Sequence, residues 1–111
     1  MFDGQEIRVE NYQTATGEDV VNDWLNSLRD RQARAKIQVR IARLRSGNPG
    51  SYRGLDGGIS ELKINYGPGY RIYFAQAGED LVLLLCGGDK STQETDIKTA
   101  KKYWADYQER R

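Results

Sequence analysis

The sequence predicts an α+β domain in which an N-terminal strand and a helical hairpin pack on a mostly antiparallel sheet, with a helix closing the chain. Two early stretches carry apolar residues at helical spacing, three extended stretches separated by glycine-rich turns follow, and the last stretch returns to helical spacing. At 111 residues the chain fits one domain, residues 1–111, around one modest core.

Ile7 to Tyr12 alternates apolar and polar residues, the period of a strand half covered by protein. Thr16-Gly17-Glu18-Asp19 offers a helix start with acids in its first turn, and Val20, Val21, Trp24, Leu25 and Leu28 predict a first helix over about 18–29. After Asp30 a second helix runs to about Ser46 with Ile37, Ile41 and Leu44 on one stripe, and Ser46-Gly47-Asn48-Pro49-Gly50 stops it. So short a link predicts an antiparallel pair of helices. Ile59 to Tyr66 and Tyr70 to Ala77 alternate about Gly67-Pro68-Gly69, which makes a hairpin. Leu81 to Cys86 is continuously apolar and reads as a central strand covered on both faces. Gly87 to Ser91 reads as a loop, after which Ser91 or Thr92 caps a final helix carrying Ile97, Ala100, Trp104 and Tyr107.

Composition excludes several chemistries. The chain has no His, so Ser-His-Asp and Cys-His nucleophile pairs and His-based zinc sites are ruled out. Acid-base work falls to carboxylates, Lys, Tyr or water polarised by Arg. The one cysteine, Cys86, ends the apolar run and reads as a buried, inert thiol compatible with a reducing cytoplasm. No apolar run approaches the ~20 residues of a membrane span, and the first residues lack a basic-then-apolar secretory pattern. Glycines at 54, 57, 58, 67 and 69 form neither a dinucleotide fingerprint nor a P-loop, and no C-x-x-C or EF-hand pattern occurs, so neither a cofactor nor a metal is expected. Trp24, Trp104 and Tyr107 lie on apolar helix faces, where they serve as core rather than as base-stacking platforms.

A formal net charge of +1 conceals an uneven distribution. Residues 1–30 hold seven acids and two bases, whereas residues 31–55 hold seven bases (Arg31, Arg34, Lys36, Arg40, Arg43, Arg45 and Arg53) and no acid. A cationic middle of this density points to a polyanionic partner. On the second helix, Lys36, Arg40 and Arg43 recur at i, i+4 and i+7 beside the apolar stripe, with Arg31, Arg34 and Arg45 on the other flank. They read either as snorkelling stems or as a surface that tracks phosphates with steep salt dependence.

Side chains alternate across a strand, so Leu62 and Ile64 point away from Glu61 and Lys63, and Ile72 and Phe74 away from Arg71 and Tyr73. If the apolar set packs on the helical hairpin, Glu61, Lys63, Arg71 and Tyr73 share the uncovered face. That face is either an ordinary solvated surface with cross-strand ion pairs or a site in which a carboxylate, two cations and a phenol cleave RNA without a metal. Lys90, after the central strand, either joins this patch or faces solvent in a turn.

The strings Ala42-Arg43-Leu44-Arg45-Ser46-Gly47-Asn48-Pro49-Gly50, Leu55 to Ile64, Gly67 to Phe74 and Leu84 to Gln93, with Asp96-Ile97, resemble the HigB-type "addiction module killer" proteins of the RelE/ParE toxin superfamily over nearly the whole chain. The resemblance implies a RelE-like fold and a cytoplasmic toxin neutralised by an antitoxin that carries a helix-turn-helix DNA-binding domain. It also implies one of two targets, mRNA in the ribosomal A site or DNA gyrase. A non-catalytic antitoxin-binding module is a third alternative.

Carried over by position, Arg71 resembles the arginine that stabilises the scissile phosphate in the RNA-cleaving members. Glu61 and Lys63 lie where relatives place a general base or phosphate ligands, and Lys90 lies near a C-terminal basic or His group. Where several RelE-like enzymes have Tyr close to this last position, the chain reads Asp89-Lys90-Ser91-Thr92, so Lys90 and Tyr73 both stand as the general acid. The implied reaction is metal-free attack of a 2′-hydroxyl on the neighbouring phosphate. Glu61 would assist deprotonation and Arg71 with Lys63 would stabilise the phosphorane, while Lys36, Arg40, Arg43, Arg45 and Arg53 dock ribosomal RNA.

Overall fold

The computed structural model describes residues 2–111. Strand β1 (Arg8–Asn11) leads into α1 (Val20–Ser27) and α2 (Arg31–Arg45), then β2 (Tyr52–Gly54), β3 (Ile59–Ile64), β4 (Tyr70–Gly78), β5 (Leu81–Asp89) and α3 (Gln93–Arg110). Both early helices start on an aspartate. The Asp19 side chain accepts from the Asn22 backbone at 3.0 Å, and that of Asp30 from Gln32 and Ala33 at 2.9 and 3.2 Å. Each cap satisfies N–H groups that have no partner inside the helix. Ala33, Ile37, Ile41 and Leu44 form the buried stripe of α2.

The five strands form one sheet in the order β1-β5-β4-β3-β2. Only β1 and β5 pair in parallel, and the other neighbours are antiparallel. Strand β5 is interior, paired on its two sides with β1 and β4, and covered on both faces as its apolar run predicts. The sheet is α+β and mostly antiparallel, consistent with a RelE-like fold. None of the described helices is long and apolar enough to cross a membrane.

Three features depart from the sequence reading. The first is β2, a three-residue edge strand that pairs Arg53 with Glu61. The second is the length of β5, which continues through Gly87 and Gly88 to Asp89 where a loop was expected. A Cβ at Gly87 would collide with the Trp24 ring, and one at Gly88 with the Asp96 carboxylate. The two glycines therefore let helices approach this strand end from opposite sides. The third is the second sheet face, which is not open.

Leu62, Ile64, Ile72, Phe74, Val82 and Leu84 pack with α1 and α2. The opposite parity supplies Ile59, Tyr73, Ala75, Leu83, Leu85 and Cys86, which α3 covers with Ala100, Ile97, Tyr103, Trp104 and Tyr107. Tyr12 fastens α3 to the exit of β1. Its ring stacks on Tyr103 with centroids 4.6 Å apart, and its hydroxyl donates to Asp106 at 2.5 Å. The fold is thus three layers, and a site on the second face lies where α3 ends its cover.

Candidate functional site

Strand register brings the predicted residues into two rows. Arg53, Glu61, Tyr73 and Cys86 lie opposite one another across β2, β3, β4 and β5, and Lys63, Arg71 and Gly88 form the next row. All point to the α3 side. Helix α3 begins at Gln93 over β5, so it buries the β4–β5 part of these rows and leaves the β2–β3 part as a cleft. That cleft, about 280 Å³ in volume, is lined by Ser51, Tyr52, Arg53, Glu61, Lys63, Arg71 and Gln93.

Glu61 is its floor, 1% exposed, and Arg71 is only 5% exposed. Charges buried this deeply persist only when paired. Glu61 Oε2 accepts from Arg53 Nε at 2.9 Å, its Oε1 accepts from Gln93 Nε2 at 2.8 Å, and Arg71 Nε forms an ion pair with the same Oε1. Arg71 Nη1 also donates to the Gly69 carbonyl at 2.9 Å. Lys63 is exposed at the cleft edge. Two arginines therefore contact one carboxylate, with Lys63 at the cleft edge, and the excess positive charge faces the cleft.

The expectation that Glu61 lies on an uncovered face is not met. Its carboxylate lies under the start of α3, hydrogen-bonded by Arg53 and Gln93 and ion-paired with Arg71. Nor does Tyr73 line an open face. It is fully buried, its hydroxyl has no partner among the described residues, and burial, with the charge of Glu61, pushes its pKa up. Lys90 is exposed at the start of the short turn Lys90–Thr92, its Cβ near Gly69, and does not line the cleft.

The cations expected to form one surface divide by role. Arg53 belongs to the cleft, its side chain 65% exposed beyond the Nε contact. Arg40 is a tether, half-buried, giving hydrogen bonds to the carbonyls of Pro49, Ser51 and Lys63 at 2.5–3.2 Å. It is not available to RNA. The Lys36 ammonium lies 5.2 Å from the centre of the Tyr66 ring. Arg43 and Arg45 are exposed, and Arg45 borders a different groove, of about 670 Å³, beside β1. In that groove Asp19 is engaged as the α1 cap, and Arg110 is held by Asp106 and the Gln13 carbonyl. Its volume is the larger, but the buried carboxylate paired with a buried guanidinium lies in the Glu61 cleft.

Gln93 escaped the sequence reading. It is one of several polar residues at a helix start, and only the docking of α3 sets it over Glu61. Among the described residues, no three carboxylates or cysteines converge to hold a metal ion.

A family described as "Phage derived protein Gp49-like (DUF891)" matches residues 23–105, which include every residue lining the cleft. A Haemophilus influenzae relative carrying the description "Uncharacterized protein" is 51% identical over 80 residues, 72% of this chain and 81% of its own length.

Proposed function

Because the chain belongs to the phage-derived Gp49-like family, which is of the toxin-antitoxin (RelE/HigB-like) type, we propose that it is a one-domain type II toxin that cuts mRNA on the ribosome. Its partners in this reading are an antitoxin with a helix-turn-helix domain, the ribosome and mRNA, met in the cytoplasm.

The observation that carries the nuclease reading is the buried Glu61 carboxylate with Arg53 and Arg71 fixed on it, beside Lys63, in a cleft open to solvent. A protein that only binds another protein has no need of a charge cluster with this desolvation cost. An RNA phosphate in the cleft would meet cations already held in place, so when the 2′-oxygen attacks, passing its proton to solvent water, the charge that builds on the phosphorane is stabilised with little reorganisation. The Lys63 ammonium suits protonation of the leaving 5′-oxygen. Ribosomal positioning of the RNA would supply part of the remaining acceleration, of order 7–11 kcal/mol where orientation is near ideal. Exposed Lys36, Arg43 and Arg45 would track ribosomal RNA phosphates.

Cleavage of mRNA on programmed ribosomes, read by primer extension, tests the assignment. Wild-type protein is expected to cut, and Arg53→Gln and Arg71→Lys to lose at least tenfold in rate while remaining folded. Inhibition of gyrase supercoiling without mRNA cleavage would overturn the nuclease reading.

A further inference from the structure

Glu61 takes its three contacts from three separate elements: hydrogen bonds from Arg53 of β2 and from Gln93 in the first turn of α3, and an ion pair with Arg71 of β4, whose Nε has no hydrogen-bond partner among the described residues. Both arginines face the carboxylate with Nε, Arg53 through a hydrogen bond and Arg71 through the ion pair alone, which leaves Nη groups for other work. Arg71 spends Nη1 on the Gly69 carbonyl, and the Arg53 side chain stays 65% exposed. The Gln93 contact differs in kind. A carboxylate oxygen can only accept, so the Gln93 amide turns its nitrogen to Glu61 and adds a hydrogen bond without adding charge.

We infer that Gln93 is a positioning residue: by holding Oε1 it fixes the Glu61 carboxylate, and through it the Arg53 and Arg71 guanidiniums, as a cradle for the phosphodiester of the RNA substrate. The substrate named here rests on the nuclease reading, whereas the cradle rests on the contacts alone. In this arrangement Glu61 is an anchor for two cations and not the acceptor of the 2′-hydroxyl proton. Gln93 also ties α3 to the sheet, and a purely structural tie would alter stability while leaving the anion affinity of the folded protein unchanged.

The test uses inorganic sulfate, whose charge is constant from pH 5 to 8, as the probe. Binding to the full chain is followed by NMR at the Arg53 and Arg71 Nε–H signals, with folding checked by urea titration. Wild type is expected to bind saturably, and Gln93→Met, similar in length but without a donor, to bind at least fivefold more weakly. Gln93→Glu places two carboxylates together. It is expected to bind weakly at pH 8 and to recover toward wild type near pH 5, where a proton shared by the pair restores a donor to Glu61. Absence of saturable binding by wild type, equal affinity in Gln93→Met, or no recovery in Gln93→Glu would each overturn the inference. Weakened sulfate binding in Gln93→Met, together with a wild-type protein that leaves mRNA intact, would uphold the cradle and remove the nuclease reading. Unchanged sulfate affinity with normal wild-type cleavage would do the reverse.

Discussion

Tyr73 and Glu61 sit opposite each other on adjacent strands, both buried, yet removing their polar groups has opposite consequences. The Tyr73 hydroxyl has no partner among the described residues. An unsatisfied buried hydroxyl costs about 1–3 kcal/mol, so Tyr73→Phe is expected to leave the urea midpoint unchanged or to raise stability by about 1 kcal/mol. It should also leave mRNA cleavage intact, and a variant that folds but no longer cuts would return the phenol to the list of proton donors. Glu61→Leu instead strands Arg71 in the interior. Breaking one side of a buried ion pair costs about 3–5 kcal/mol, whereas replacing both sides with apolar groups is often nearly neutral. The pair Glu61→Leu with Arg71→Leu should therefore be more stable in urea than Glu61→Leu alone. A double variant no more stable than the single one would show that packing, not the orphaned charge, sets the cost.

At the scale of the element, α2 shows why equal spacing does not mean equal role. Lys36, Arg40 and Arg43 repeat at helical intervals, but only Arg40 reaches the carbonyls of Pro49, Ser51 and Lys63 and so joins the helix to the segment carrying Arg53. Hydrogen bonds from a charged group contribute about 1.5–3 kcal/mol each when well shielded. With Arg40 half-exposed, Arg40→Met is expected to cost about 2 kcal/mol in urea and to slow cleavage by loosening β2. Arg43→Gln should stay within about 0.5 kcal/mol of wild type while lowering the salt dependence of ribosome binding by about one phosphate contact. Equal stability losses at both positions would contradict this division.

The same helix marks the limit of what the sequence discloses. The stripe of Ile37, Ile41 and Leu44 is periodic and was legible, as were the β3–β4 hairpin and the placing of Lys63 and Arg71 on one face. Arg40's partners lie in the loop before β2 and at Lys63 of β3, up to 23 residues away, and no local pattern announces them. Strand β2 has three residues, all exposed, too few for alternation to register. The cover of α3 did leave a trace: Tyr73, Ala75, Leu83 and Leu85 are as apolar as the opposite parity, which a solvated face would not require. Once that face is covered, the four polar residues assigned to it separate into a buried pair, a buried phenol and one exposed lysine.

For the whole molecule, the three-layer packing encloses the Cys86 thiol along with Tyr73, and this couples stability to alkaline pH. Burial, with the nearby Asp96 charge, pushes the Cys86 thiol up to about 12. An unfolded cysteine titrates near 8.5. As pH rises between these values the unfolded chain gives up a proton that the folded chain keeps. The unfolded state then binds fewer protons, so unfolding becomes easier with rising pH. Stability is expected to be level below about pH 8 and then to decline by about 1.4 kcal/mol per pH unit. Above about pH 10 the decline steepens, because Tyr12 and Tyr73 are also raised by burial and their unfolded forms begin to ionise there. Urea midpoints between pH 7 and 10 measure the first segment. Cys86→Ala should be less stable at neutral pH by about 1 kcal/mol for the lost packing, yet its stability should be nearly flat from pH 8.5 to 9.5, where the tyrosines remain protonated. A decline of equal slope in Cys86→Ala would mean that the thiol does not govern alkaline unfolding and that another ionisation loosens α3 from the sheet first.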